Sequence, residues 1–369
     1  MLICSLVINW RRNIKKNIIN RALEKMNTQY HWMVCVRCIT YNHAPYITEA
    51  LDGFALQQTS FPFVCCIIDD ASTDGEQEII KGYLENNFDQ DDINTCRYEE
   101  TEDYYLTFAH HKTNLNCYFA VLYLKYNHYS KPGCNQRKLK YIAEWNKTAK
   151  YYALCEGDDY WIDSNKLQKQ VDFLENNNDY TLCFSNAVLL NPNNLPCPFD
   201  AGHIEDREYL PDEVFKTWCI PTASVLYRKE IQEVQVIKPE RIMFDDIILI
   251  LKAAKIGKVR GMSDIMTVYR LNNGSATQNP QYEYKHTMKR PEFVEFIIDN
   301  FGDILDLKYL YKGLCLRYCY RSLVQSTSER KYNDLIKAAN INKVITLKFV
   351  LRNFVFMGIR AMFKIILRR

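Results

Sequence analysis

The chain has 369 residues, 47% of them hydrophobic and 25% charged, enough to bury one large core or two smaller ones, and it reads as a soluble globular protein. A formal net charge of +3 is too small to argue for a nucleic-acid partner, although the basic excess gathers at the two ends. Fourteen cysteines do not make a disulfide framework here, because no secretory signal precedes them and many lie in apolar, strand-like runs; they read as reduced thiols.

Residues 1–32 read as an N-terminal extension. The apolar run Met1 to Trp10 is far shorter than the ~20 residues that span a bilayer. Arg11, Arg12, Lys15 and Lys16 follow it, which is the wrong order for a signal peptide. Val34 to Ile39 then predicts a β-strand ending in the polar turn Thr40-Tyr41-Asn42-His43-Ala44-Pro45. Cys35 and Cys38 have the spacing of a redox or zinc motif, but residues three apart on a strand face opposite ways, so the pair is structural. A helix is expected from about Tyr46 to Gln58. A second strand, Val64 to Ile68, ends in Asp69-Asp70-Ala71-Ser72-Thr73-Asp74-Gly75, and a helix follows from Glu76 to Leu84. Strand, helix, strand, helix with continuous apolar strands is the pattern of a parallel α/β sheet, whose ligands bind beyond the carboxyl ends of the strands. Both polar turns fall at that edge. Asp69, Asp70 and Asp74 also have an ordinary use as turn formers and helix caps.

From Asn86 to Lys140 an acidic portion gives way to one rich in Tyr, His, Asn and Lys, and an insertion or mobile flap is expected. Adjacent His110 and His111 lack the i, i+4 geometry of a helical metal-ligand pair. A helix from Tyr141 to Lys150 leads into the strand Tyr151 to Cys155, which breaks into Glu156-Gly157-Asp158-Asp159-Tyr160-Trp161. Carboxylates this crowded repel one another and need a cation or extensive hydrogen bonding to stay ionised. Mg²⁺ and Mn²⁺ are commonly held by one or two carboxylates plus substrate phosphates, so the cluster points to a metal–diphosphate site. Its alternative is a solvated acidic turn.

Lys166 to Leu174 has helical periodicity, Leu182 begins another strand, Pro192 to Asp212 is a loop region, and Pro221 to Arg228 reads as a strand. Phe244-Asp245-Asp246 opens the apolar helix Ile247 to Ala254, where acids also suit a helix N-terminus. Lys258 to Arg260 and Ile265 to Arg270 suggest a closing pair of strands, and about Pro291 to Lys337 looks helical. In residues 339–369, Lys348, Arg352, Arg360, Lys364 and Arg368 recur at multiples of four among apolar residues. Such a basic amphipathic helix suits an anionic membrane surface, or else docks on the globular domain.

The segments Cys38-Ile39-Thr40-Tyr41-Asn42-His43, Asp69 to Gly75 and Glu156 to Trp161 together resemble glycosyltransferase family 2, and more narrowly its bacterial members that build surface polysaccharides. The resemblance covers about residues 33–275 and extends to Pro221-Thr222-Ala223-Ser224 and the Asp245-Asp246 helix. It implies a Rossmann-like, glycosyltransferase A-type α/β fold with a mostly parallel central sheet. It also implies a nucleotide-diphosphate-sugar donor, here expected to be a UDP-sugar, a divalent cation (Mn²⁺ or Mg²⁺), and inversion at the anomeric carbon. Residues 33–275 would be the catalytic domain and 276–338 a helical region. Carried over residue by residue, Thr40, Tyr41 and Asn42 belong to the nucleotide pocket, Asp70 would hydrogen-bond the base and Glu156 would face the ribose. Asp158, with Asp159 beside it, would hold the metal. Asp246 resembles the catalytic base, and Asp245 sits where related sequences often carry Gly or Glu. The basic residue that related enzymes place before the acidic cluster has Lys138 or Lys140 as candidates. The expected acceptor is a glycan or lipid-linked hydroxyl at the inner face of the cell membrane. The competing readings are a catalytically silent nucleotide-sugar-binding scaffold subunit and a nucleotidyltransferase. The latter would want a Gly-rich basic phosphate loop, which Thr40-Tyr41-Asn42-His43 is not.

Overall fold

The computed structural model describes residues 31–92, 95–129, 133–197, 203–217, 220–237, 245–271 and 291–324, with parts of 333–341. Residues 1–30 of the N-terminal extension, the loop Asn272 to Ser275 and the basic stripe Lys348 to Arg368 lie outside the described residues. The chain divides into two compact units, one of residues 1–210, 217–234 and 252–272, the other of 211–216, 235–251 and 273–369.

The first unit is built on a twelve-stranded sheet. Its centre holds β1 (Trp32–Thr40), β2 (Phe63–Asp69), β6 (Cys117–Leu124) and β7 (Ala149–Leu154). β2 and β6 are buried at every position, as expected of strands covered on both faces. Between β1 and β2 runs helix α1 (Ile47–Ala55), whose Ile47, Ala50, Leu51 and Phe54 face the core. Gly53 lets α1 pass beneath the acidic segment, because a Cβ there would lie 2.8 Å from the Trp161 backbone nitrogen. Helix α2 (Glu76–Asn87) follows β2 and buries Ile80 and Leu84.

Strand order fixes where a ligand can enter. β1 pairs in parallel with β2 on one side and with β7 on the other, and β2 pairs in parallel with β6. The chain therefore travels outward from β1 through β2 to β6, then returns to β7 on the opposite flank. The crevice at the carboxyl ends of β1 and β7 is thus a topological switch point. Thr40 to His43 and Glu156 to Asp159 leave the sheet there.

Two expectations are corrected. The described part of the 86–140 segment, expected as an insertion or mobile flap, is mostly sheet and helix. It forms β3 (Phe88–Asp89), β4 (Arg97–Glu100), β5 (Tyr104–His111) and β6, followed by helices α3 (Cys134–Tyr141) and α4 (Ala143–Thr148). The Tyr-rich run Cys117-Tyr118-Phe119-Ala120-Val121-Leu122-Tyr123-Leu124 is a core strand, because its tyrosine rings bury as apolar bodies. His110 and His111 serve the β5–β6 turn: His110 Nε2 bonds the Leu115 carbonyl at 3.0 Å, and His111 Nδ1 accepts the Asn114 N–H at 3.0 Å.

Second, the expected closing pair of strands is one strand. After β8 (Tyr160–Trp161), α5 (Lys166–Asn176), β9 (Tyr180–Leu190), β10 (Glu208–Tyr209), α6 (Pro211–Thr217), β11 (Leu226–Arg228) and α7 (Asp245–Ile256), β12 runs unbroken from Lys258 to Arg270. Register shifts between Met262 and Thr267 absorb the polar Ser263-Asp264 that looked like a break. The centre of the sheet is parallel as expected, with antiparallel pairings outside it. β7, β1, β2 and β6 are parallel, as are β9 and β12, but β11 is antiparallel to both neighbours and β5 is antiparallel to β6. Cys35 and Cys38 are both buried, and every cysteine whose side chain is described is a free thiol.

A buried polar layer ties the acidic turn to α5. Lys166, wholly buried, donates to Gln170 Oε1 at 2.7 Å and stands 4.3 Å from the centroid of the Trp161 ring. Gln170 donates to the Ser224 carbonyl, and the Trp161 indole N–H donates to the Ala223 carbonyl, both at 2.8 Å. Burial lowers the Lys166 ammonium from 10.5 to about 8. Because the folded value lies below the unfolded one, the unfolded chain binds more protons between those limits, and stability from this group rises with pH across them. Relative to Lys166→Met, the wild type is therefore expected to gain about 2 kcal/mol between pH 7 and pH 9.5. Urea midpoints of both proteins at the two pH values test this, and a pH-independent difference would refute it.

The second unit contains α8 (Pro291–Phe301) and α9 (Leu307–Val324), which bury Phe293, Phe296, Ile297 and Phe301 with Leu310, Leu314 and Tyr318. Arg321 forks onto buried Asp334 with two 2.7 Å bonds and also pairs with Glu292.

Candidate functional site

Two of the polar turns are laced together by one buried acid. The turn after β1 places Asn42 at φ 55°, and the turn after β2 places Ala71 at φ 61°. A non-glycine residue in the left-handed region costs energy and persists where neighbours hold it. Here Asn42 Oδ1 accepts the Thr73 N–H at 2.8 Å, and the Asn42 N–H donates to Ser72 Oγ at 2.9 Å. Glu76, at the first position of α2 and wholly buried, accepts the Thr40 hydroxyl, the His43 N–H at 3.0 Å and the Ser72 hydroxyl at 2.7 Å. Asp74 accepts the Ala44 N–H at 2.9 Å, and Asp69 takes the Ser72 N–H. The sequence marked Glu76 only as a helix start. Its signal was an acid one turn after Ser72, facing a turn not known to be adjacent.

The third turn fits against the first. Cys155 and Gly157 donate their N–H groups to the Arg37 and Ile39 carbonyls, so the chain beyond β7 continues along β1. A Cβ on Gly157 would stand 2.1 Å from Thr40 Oγ1, so only glycine allows this approach. Glu156 is exposed, while Asp158 and Asp159 are buried. Asp158 Oδ2 lies 3.8 Å from His43 Nε2. Asp159 Oδ1 accepts the Arg270 N–H at 2.9 Å, and the Arg270 guanidinium donates to the Asp158 carbonyl at 2.8 Å and to Glu49 at 2.6 Å. Arg270 is thus the clamp on the acidic turn, and sequence reasoning did not single it out. Burial, reinforced by the neighbouring Asp158 charge, pushes the Asp159 carboxyl up.

Asp70 is occupied within the fold. Its Oδ2 takes the Lys138 Nζ at 2.7 Å and its Oδ1 the His128 N–H at 2.8 Å, with Asp70 1% and Lys138 3% exposed. Lys138, one of the two basic candidates, is therefore the partner of Asp70, and Lys140 is exposed. Tyr41 lies at the surface of the same edge, and Thr40 is buried with its hydroxyl on Glu76.

Asp245 and Asp246 form the first turn of α7 in the second unit, Asp245 exposed and Asp246 half-buried. Among the described residues, no group of three or more His, Cys, Asp or Glu side chains is placed to hold an ion alone. The crevice nevertheless suits a divalent cation: adjacent buried carboxylates repel, and a hard cation relieves the crowding while substrate oxygens complete its shell.

Comparison with known proteins gives a family match for part of the chain and a shared fold for most of it. The family described as "Glycosyl transferase family 2" matches residues 35–103, which hold the first two turns. The uncharacterized protein Rv1520 of Mycobacterium tuberculosis and the uncharacterized protein Mb1547 of Mycobacterium bovis are each 31% identical over 241 residues. Each alignment covers 63% of this chain and 57% of the relative, so the chain spans little more than half the length of these relatives. Residues 1–349 of S. aureus TarS in complex with UDP-GlcNAc align with a TM-score of 0.54 at 17% identity, over 89% of this chain and 88% of TarS. The UDP complex of the same TarS fragment gives 0.51 at 15% identity, over 89% and 87%. The α/β sheet with its helices is the fold these structures share.

Proposed function

We propose that this chain, whose residues 35–103 match the glycosyl transferase family 2 model, is an inverting glycosyltransferase moving a sugar from a nucleoside-diphosphate donor to a hydroxyl of a glycan or lipid-linked acceptor. The observation that carries the reading is the convergence of Thr40 to His43, Asp69 to Asp74 and Glu156 to Asp159 at the switch point of one sheet. TarS, a protein of the same fold, was solved with UDP-GlcNAc and with UDP, and a UDP-sugar is the donor we take for this chain.

In this reading the first two turns receive the nucleoside, with Tyr41 at the surface and Asp70 holding Lys138 and the His128 backbone beside it. Glu156, exposed at the mouth of the crevice, takes the ribose hydroxyls. Asp158 would hold a Mn²⁺ or Mg²⁺ ion, and Asp159, by bonding Arg270, fixes the turn that presents it. When bound, the ion neutralises the charge that develops on the departing diphosphate. An acceptor hydroxyl is a poor nucleophile, so Asp246 removes its proton as the oxygen attacks the anomeric carbon. Attack opposite the leaving group in one displacement inverts that carbon. Among the described residues no helix is long and apolar enough to cross a membrane. Contact with an anionic membrane at its inner face is assigned to the basic stripe of residues 339–369.

The test is release of free nucleoside diphosphate from a panel of nucleotide sugars, with Mn²⁺ or Mg²⁺ and a membrane extract as acceptor source. Turnover of one donor, lost on chelation, is expected. A donor that binds with metal yet never turns over on any extract would return the silent-subunit reading. Neither binding nor turnover would sink the transferase reading.

A further inference from the structure

The hydrogen bonds around His43 fix which of its ring nitrogens carries a proton. Glu76 accepts the single hydroxyl proton of Thr40, so Thr40 Oγ1 can only accept from His43 Nδ1, 3.2 Å away. Nδ1 therefore bears the hydrogen, and in the neutral ring Nε2 is left with its lone pair. That nitrogen lies 3.8 Å from Asp158 Oδ2, a gap too long for a hydrogen bond. Two electron donors so placed are complementary to a positive ion between them. Two donors each about 2.1 Å from one ion stand at most about 4.2 Å apart, and this pair falls within that limit.

The ring is also held as a metal-ligating imidazole is held. Such a histidine passes its other N–H to an oxygen acceptor, which fixes the tautomer and makes the free nitrogen a better donor. Here the acceptor is Thr40, polarised in turn by buried Glu76. The His43 N–H is anchored on the same Glu76 at 3.0 Å, and Gly157 leaves the room the ring needs, since a Cβ there would come within 3.2 Å of His43 Nδ1.

We propose that His43 Nε2 is a direct ligand of the divalent ion, sharing it with Asp158, with diphosphate oxygens and water filling the remaining positions. The proposal rests on the transferase reading for the diphosphate. It has a consequence for metal choice: both ions favour oxygen ligands, but Mn²⁺, a first-row transition ion, accepts one imidazole nitrogen more readily than Mg²⁺, which is held by carboxylates, water and phosphate oxygens. His43 therefore biases the site toward Mn²⁺.

Pulsed electron paramagnetic resonance of Mn²⁺ bound to the full chain with UDP tests this without reference to turnover. The expected result is a nitrogen coupling in the wild type that changes to the ¹⁵N pattern when the protein is grown on ¹⁵N-histidine, and that disappears in His43→Gln. The same substitution is expected to weaken Mn²⁺ binding at least about tenfold while changing Mg²⁺ binding less, so that the Mn²⁺ preference narrows. The wild-type labelling experiment needs no variant to fold. Mn²⁺ that binds with UDP but shows no histidine nitrogen overturns the His43 assignment and leaves the transferase reading standing, as does a coupling that survives in His43→Gln. If Mn²⁺ and UDP do not bind together at all, the His43 assignment is overturned together with the UDP-sugar donor, while the transferase reading is decided separately by the donor panel.

Discussion

Asp246→Asn is expected to lower sugar transfer about 10²- to 10⁴-fold at saturating donor, the usual contribution of a positioned general base. Asparagine preserves the size and one acceptor oxygen of the side chain but cannot take a proton, so the loss should appear in kcat while UDP affinity stays near that of the wild type. Asp246 is half-buried and Asp245 exposed, which makes Asp246 the group partly withdrawn from water. Asp245→Asn is the matched control. It removes the same charge from the same first turn of α7, so any effect exerted only through the helix terminus, about 0.3–1 kcal/mol, should be common to both. Single-turnover rates with each variant separate the cases. Unimpaired transfer by Asp246→Asn refutes the base assignment, and a larger loss in Asp245→Asn moves the role to its neighbour.

The central strands were legible because each carries a signal that needs no tertiary information: Val34 to Ile39 and Val64 to Ile68 are apolar runs closed by polar turns, and β1, β2 and the helices after them stand where those runs put them. The three turns were legible as polar strand ends for the same reason, since Asp, Asn and Gly after an apolar run mark a turn. What the turns do to one another was not legible. Glu76 is a helix-start acid in sequence and the shared acceptor of two turns in space. Arg270 lies 111 residues beyond the Asp159 whose carboxylate its N–H meets, and no local pattern announces a partner at that separation. β6 escaped because a run with two tyrosines amid His, Asn and Lys looks solvent-facing until the sheet on both sides buries it. The bulged β12 was read as two strands because a period-2 pattern is lost where residues slip register.

Lys138→Met is expected to destabilise the protein by about 3–5 kcal/mol, because it strands the buried Asp70 carboxylate with the His128 N–H as its remaining short contact of the two described. Methionine keeps the length of the lysine stem, so the change isolates the charge from the packing. Asp70→Asn should be costly for the complementary reason, leaving the ammonium of Lys138, itself 3% exposed, without its anion. The combined Asp70→Asn/Lys138→Met protein loses the pair without leaving either charge stranded. Its destabilisation should therefore fall well below the sum of the two single losses, a coupling that double-mutant cycles on urea midpoints resolve. Strict additivity, or a Lys138→Met loss under about 0.5 kcal/mol, would mean that the pair is hydrated in solution and does not hold the loop. The same proteins distinguish the two uses of Asp70. If its carboxylate acts through Lys138 alone, the double variant should recover much of the nucleotide affinity that Lys138→Met loses. If Asp70 instead reads the base directly, affinity stays low in every protein that lacks the carboxylate, however stable the fold.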